Sequence, residues 1–293
     1  MRTESAVKKT KSMDKSVLNN ISVFEDTVKL CSSNAVLRKM IKKSIDSQKI
    51  IYEHEELSDL QLNQYEDCAE IVVSTKRTLE AAEAYKGKKV AVHNFASATN
   101  PGGGVVKGSR AQEECICRCS DLYFCLDTDD MWAGFYKPHR NAMNPLNNGD
   151  VIYTPDVCIF KTDSANPELR DESEWYKVDV ITCAAPNLRE KPTNRFNPGN
   201  GDKTVKIDDN ELRVIHEKRL SRMLDVAIQN EVEVIILGAW GCGAFKNSPN
   251  VVAEAAYNVI QRYLHAFKTI EFAIYCLPKD DVNFKTFKKT FSK

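Results

Sequence analysis

The stretch Glu233-Val234-Ile235-Ile236-Leu237-Gly238-Ala239-Trp240-Gly241-Cys242-Gly243-Ala244-Phe245-Lys246-Asn247-Ser248-Pro249 decides the architecture. Glu233–Leu237 reads as a strand, the glycines end it, and Ser248-Pro249 reads as the N-cap and first residue of a helix. In open α/β sheets ligands bind beyond the carboxyl ends of strands, where such loops lie. Free N–H groups and the helix dipole favour an anion there, so Gly241, Cys242, Gly243 and Ala244 are candidates to hold a diphosphate. It is not a P-loop, because no Lys-Ser/Thr pair follows the glycines, and its spacing is not the GxGxxG dinucleotide fingerprint. Phe245 is placed either to stack on a flat ligand part or to plug the core. Cys242 reads as a small loop residue rather than a nucleophile, with no His near it in sequence. Trp240 reads as packing.

Outward from this unit the chain alternates strand and helix. Ile50–Tyr52, Ile71–Ser74, Lys89–Phe95, Val151–Phe160, Val178–Ala184 and Glu271–Cys276 read as further strands. Lys76–Tyr85, Ala111–Leu126, Met131–Arg140, Leu212–Gln229, Pro249–Leu264 and Val282–Phe291 read as helices. Apolar residues every three or four positions from Ser22 to Ser47 predict a helical hairpin or two helices in series. The pattern predicts an α/β fold with a mixed, largely parallel central sheet and an N-terminal helical extension. The expected organisation is a frayed tail over 1–16, carrying a Lys8-Lys9-Thr10-Lys11 run, an extension over 17–70 and one α/β domain over 71–293. Residues 187 to 208 have no periodicity and read as a functional loop or an insert.

The 293 residues hold 41 Lys+Arg against 41 Asp+Glu, a balance that argues against a dedicated nucleic-acid binder. No apolar run is long enough to span a membrane. Residues 1 to 20 have no apolar signal core, so the ten cysteines are expected to be reduced thiols of an intracellular protein, cytoplasmic or nuclear. Cys115, Cys117 and Cys119 lie inside a predicted helix, where i and i+2 diverge, and are read as structural thiols. The five histidines form no H-x-x-x-H pattern, so no metal site is expected. The charges of Leu212–Arg222 read as a solvated face.

Two more strand ends stand out. Ala184-Ala185-Pro186-Asn187 offers small residues for a ligand wall. Asn100-Pro101-Gly102-Gly103-Gly104 removes three consecutive Cβ atoms, so a ligand can approach the backbone. Ser109-Arg110-Ala111-Gln112 has capping-box spacing, with Glu113 and Glu114 following. These carboxylates suit a helix dipole, and Glu114 has Arg118 at i,i+4. Being adjacent, they stand about 100° apart. They cannot flank one glycosidic bond from opposite faces, but one can be an acid/base and the other an orienter of hydroxyls.

Gly102-Gly103-Gly104, seven residues, then Gln112-Glu113-Glu114 resembles the signature of poly(ADP-ribose) glycohydrolases. The Gly238–Phe245 loop with Lys246-Asn247-Ser248-Pro249 is similar to that family's diphosphate loop and stacking Phe. The resemblance, to the microbial-type branch, runs from about Val23 to Phe291. It implies a macrodomain-like three-layer α/β/α fold and exo-acting hydrolysis of ribose–ribose bonds in poly(ADP-ribose), releasing ADP-ribose, without cofactor or metal. It implies Glu114 as acid/base, Glu113 as the carboxylate that orients ribose hydroxyls, and Asn100 at the terminal ribose. Gly102–Gly104, Gln112 and Gly241–Phe245 would surround the diphosphate and distal ribose. The segments 127–140, 168–174 and 192–206 depart from the family pattern. Implied partners are poly(ADP-ribose) on modified proteins and its product, with no membrane and no sequence-specific nucleic acid. The alternatives are a mono-ADP-ribosyl hydrolase and a non-catalytic ADP-ribose-binding macrodomain; the latter has no need of the glutamate pair.

Overall fold

The computed structural model of the protein describes residues 15–292. The lysine run and all but the last two residues of the expected tail lie outside the described residues; Lys15 and Ser16 already belong to a helix. The elements run α1 (Lys15–Ser33), α2 (Ala35–Ser47), β1 (Lys49–Ile51), β2 (Glu70–Ser74), α3 (Thr78–Glu83) and β3 (Val90–Phe95). Then come α4 (Gln112–Cys119), α5 (Leu122–Leu126), α6 (Asp129–Met131), α7 (Lys137–Ala142), β4 (Val151–Ile159) and β5 (Tyr176–Cys183). The chain ends with α8 (Asp209–Gln229), β6 (Val234–Leu237), α9 (Pro249–Ile260), β7 (Thr269–Ala273) and α10 (Val282–Thr290).

Seven strands form one sheet in the order β1-β4-β5-β3-β6-β7-β2. From β5 to β2 all neighbours are parallel, while β4 pairs antiparallel with both β5 and β1. Side chains alternate across a strand, and here the alternation divides the core in two. Val90, Val92, Val178, Val180, Val234 and Ile236 face one apolar cluster with Leu79 of α3, Ile116 of α4 and Leu122 of α5. Ala91, Ile181, Ile235, Leu237 and Phe272 face another with Leu224 of α8, Val252 of α9 and Phe287 of α10. The sheet is thus the middle of three layers, mixed and largely parallel as expected.

The N-terminal helices are fastened by polar contacts. The Lys161 ammonium, 2% exposed, donates to the Thr27 hydroxyl at 2.8 Å and to the Val23 carbonyl at 3.0 Å, and pairs with Asp26 at 2.8 Å. Thr27 in turn donates to the Arg118 carbonyl at 2.6 Å, and the Asn20 amide donates to the Gly108 carbonyl at 3.1 Å.

Two expected helices are broken. Ala111–Leu126 divides at Ser120-Asp121, because Ser120 is extended and bridges Ile159 of β4, while the Asp121 carboxylate accepts the Cys158 N–H at 2.9 Å. Met131–Arg140 divides into α6, a π turn over Trp132–Tyr136, and α7. Pro138 has no N–H for an α-helical bond, and a Cβ on Gly134 would lie 2.5 Å from Ile50 of β1. Among the described residues no helix is long and apolar enough to cross a membrane.

Candidate active site

Strands β5, β3 and β6 are adjacent and parallel, so the three loops at their carboxyl ends converge. Between them lies a cleft of about 390 Å³. Its wall includes Gly103, Gln112, Glu113 and Glu114 on one side, and Gly241, Gly243, Ala244 and Phe245 on the other. Ala185 of the loop after β5 is also in the wall. Asn100, Gly102, Gly104 and Cys242 stand behind this surface: the Asn100 amide donates to the Gly103 carbonyl, and the Cys242 thiol points to the Trp240 carbonyl.

Helix α4 begins at Gln112, with Ala111 at the N-cap and no side-chain cap bond, so the expected Ser109–Gln112 capping box is absent. Gln112 has other work. Its carbonyl oxygen accepts the Phe95 N–H at 2.9 Å, and its amide nitrogen donates to the His93 carbonyl at 2.7 Å and the Thr78 hydroxyl at 3.0 Å. The end of β3 outcompetes a local cap for this side chain, and the start of α4 is thereby locked to the sheet.

The two carboxylates are buried and meet at Gly103. A Cβ built there would lie 2.6 Å from Glu114 Oε1 and 2.9 Å from Glu113 Oε2. They converge more than the angle between successive helix positions suggests, because the glycine loop wraps the first turn of α4. Glu113 Oε2 accepts the Ser97 N–H at 2.8 Å. Burial, and then the adjacent Glu114 charge, push the Glu113 carboxyl well above the usual carboxylate range. Glu114 Oε1 accepts the Gly104 N–H at 2.8 Å, and its Oε2 is buried without a partner. Among the described residues Glu114 and Arg118 form no ion pair; Arg118 donates instead to the Ser109 carbonyl at 2.6 Å.

The second glycine loop is held from below. The Asn247 amide nitrogen donates to the Pro186 carbonyl at 2.7 Å, while its oxygen lies 2.7 Å from His216 Nε2 of α8. Gly241 has φ +79°, and a Cβ there would lie 2.8 Å from both Ala185 and Asn247. Ser248 is the N-cap of α9 in backbone terms, but its hydroxyl makes no cap bond. Trp240 packs edge-on between His93 and His216, at ring separations of 4.8 and 5.0 Å. Burial lowers His93 to about 3 and His216 to about 4, so both are neutral near pH 7. The face of α8 expected to be solvated is partly interior. Arg219, 5% exposed, donates to the carbonyls of Ala184 at 3.0 Å and Leu146 at 2.8 Å.

The aperiodic segment 187–208 folds over the cleft. Asn197 accepts hydrogen bonds from the hydroxyls of Ser97 and Thr99, and Asn200 joins Asn187 at 2.7 Å and Asn147 at 2.8 Å. Phe196 and Arg189 reach the cleft wall. Sequence reasoning missed these residues and the Asn247–His216 support; the run of five asparagines between 187 and 210 was the available signal. Among the described residues no group of three or more His, Cys, Asp or Glu side chains is placed to hold a metal ion.

The model of the microbial-type PARG catalytic domain matches residues 19–162. The chain is similar to poly(ADP-ribose) glycohydrolase from Thermomonospora curvata, at 27% identity and TM-score 0.80 over 94% of this chain and 100% of that one. A structure of that enzyme bound to the inhibitor ADP-HPD aligns at 27% identity and TM-score 0.76, over 93% of this chain and 99% of that one. The Deinococcus radiodurans enzyme in complex with ADP-ribose aligns at 27% identity and TM-score 0.70, over 86% and 97% of the two chains. None of the curated proteins matches.

Proposed function

The chain belongs to the microbial-type poly(ADP-ribose) glycohydrolase family, and we propose that it hydrolyses ribose–ribose bonds of poly(ADP-ribose) from the chain end, releasing ADP-ribose. The observation that carries this reading is the Glu114 carboxylate, held through one oxygen by Gly104 while the other is buried, unpartnered and in the cleft wall.

The leaving group is a ribose hydroxyl, poor until protonated. Glu114 gives that proton to the glycosidic oxygen as the C–O bond breaks, and the ribosyl carbon takes on oxocarbenium character. Glu114, now ionised, then takes a proton from the attacking water, and its proton is restored. Burial, and then the neighbouring Glu114 charge, keep a proton on Glu113 to higher pH than on an isolated carboxyl. In our reading Glu113, fixed by Ser97, orients ribose hydroxyls. The diphosphate rests on the 238–245 loop beside the start of α9, and Phe245 offers a ring to stack on.

The test is incubation with automodified poly(ADP-ribosyl)ated protein and chromatography of the products. Free ADP-ribose should accumulate from the first time points, without short oligomers. Intact polymer bound to the protein, with nothing released, would make the chain a reader. Release from singly modified protein alone would make it a mono-ADP-ribosyl hydrolase.

A further inference from the structure

Segment 187–208 brings a cation into the wall of the cleft. The Arg189 guanidinium lies 5.3 Å from the centroid of the Phe245 ring. The Leu188 N–H donates to the Phe245 carbonyl at 2.9 Å, which ties this segment to the second glycine loop one residue before Arg189. Asn187 Oδ1 accepts from Arg189 Nε at 3.1 Å and from its backbone N–H at 3.4 Å, and Nη2 donates to the Pro192 carbonyl at 3.3 Å. All of these acceptors are neutral. Among the described residues no carboxylate forms an ion pair with Arg189, and burial holds the guanidinium below its ordinary range.

A half-buried guanidinium without a paired anion is costly, because it has given up water without gaining a counter-charge. Its position is nevertheless fixed by hydrogen bonds and by the aromatic ring beneath it, so little side-chain freedom is left to lose on binding. The neighbouring loop offers only the partial charges of N–H groups, which do not balance the two negative charges of a diphosphate. We propose that Arg189 is a substrate-binding residue, the counter-charge for the diphosphate of an ADP-ribosyl unit seated between the 238–245 loop and segment 187–208. This rests on the reading of the cleft as an ADP-ribose site. The planar fork of Arg, which can meet two phosphate oxygens at once, suits the role better than Lys. Substrate then supplies the anion that the free protein lacks, and segment 187–208 becomes one wall of the binding site.

The test is calorimetry of ADP-ribose binding to the full chain, in a series of salt concentrations. Arg189→Ala should weaken binding roughly 10–100-fold, the range for loss of a charged hydrogen-bonded contact, and should flatten the salt dependence. Arg189→Lys should recover part of the affinity and most of the salt dependence. In turnover, KM should rise and kcat should change little. If Arg189→Ala does not fold, Arg189→Gln, which keeps length and donors but not charge, carries the same expectations. Wild-type affinity and salt dependence in the neutral variants would overturn the assignment. Hydrolysis by the unmodified chain is followed in parallel. No release of ADP-ribose alongside Arg189-dependent binding overturns the hydrolase reading and leaves Arg189 in place, whereas release with Arg189-independent binding overturns Arg189 alone.

Discussion

Glu114 receives the Gly104 N–H on one carboxylate oxygen at 2.8 Å, and the other oxygen has no hydrogen-bond partner. One backbone contact therefore sets the position of the group and leaves the second oxygen for a ligand. Glu114→Gln retains the shape and the Gly104 bond but cannot deliver a proton. Turnover should fall by roughly 10²–10⁴, with ADP-ribose affinity nearly unchanged, because the product no longer contains the bond being broken. Wild-type rates of ADP-ribose release from this variant would remove Glu114 from the mechanism.

Gly103 tests whether the pair of carboxylates must converge. Its φ is +57°, and an added methyl would collide with both Glu113 and Glu114. Gly103→Ala should cost about 1–3 kcal/mol of stability through backbone strain, and should displace the carboxylates enough to lower kcat at least tenfold. Denaturant unfolding and steady-state kinetics on the same preparation read both effects. A fully active Gly103→Ala enzyme would show that the observed convergence is irrelevant to catalysis.

Phe245 is half-buried, lines the cleft and lies beneath Arg189. An aromatic stack contributes about 0.5–1.5 kcal/mol, so Phe245→Ala should weaken ADP-ribose binding roughly 2–10-fold. The melting temperature should fall only modestly. A large loss of stability with unaltered affinity would assign the ring to the core instead.

His93 and His216 make stability depend on acid. Both are neutral when folded, at about 3 and about 4, and recover an ordinary value near 6.5 on unfolding. Between those values the unfolded chain binds more protons, so their contribution is complete above about pH 6.5 and is lost as pH falls towards 4. His216→Gln should therefore show a smaller drop in melting temperature between pH 7 and pH 5 than the unaltered chain. Equal drops would mean that His216 is not held neutral. Glu113 has the opposite sign. Its raised carboxyl contributes below the ordinary carboxylate range and is lost as pH rises through its folded value, so Glu113→Gln should remove an alkaline loss of stability.

What could be read from the sequence was what carries its own chemistry. Three adjacent glycines, a glutamate pair at a set distance and a glycine loop before Ser248-Pro249 are local patterns, and the sheet then brings them to neighbouring strand ends. Gln112 shows the limit. Its spacing from Ser109 favours a local cap, yet the end of β3 offers it two partners and Thr78 of α3 a third, and long-range bonds decide. Arg219 and His216 were hidden among the charges of α8, because their burial depends on carbonyls and amides far away in sequence. Arg189 and Asn197 lie in a segment ordered by side-chain amides rather than by an apolar face, so no periodicity announces them.

The fastening of α1 has a consequence for the order of assembly. Its helix precedes every strand, yet Asn20 bonds to a carbonyl 88 residues downstream and Lys161 reaches back 138 residues to Val23. A ribosome emits residues in sequence, so α1 emerges long before its anchors exist. Closing such long loops is entropically costly until other contacts have gathered the chain. β2 waits longer still, since its parallel neighbour β7 begins at Thr269. The turn at Gly108 thus gains its contact with α1 only after the chain between them has been made, and a helix synthesised before the strands is fixed by residues that follow it.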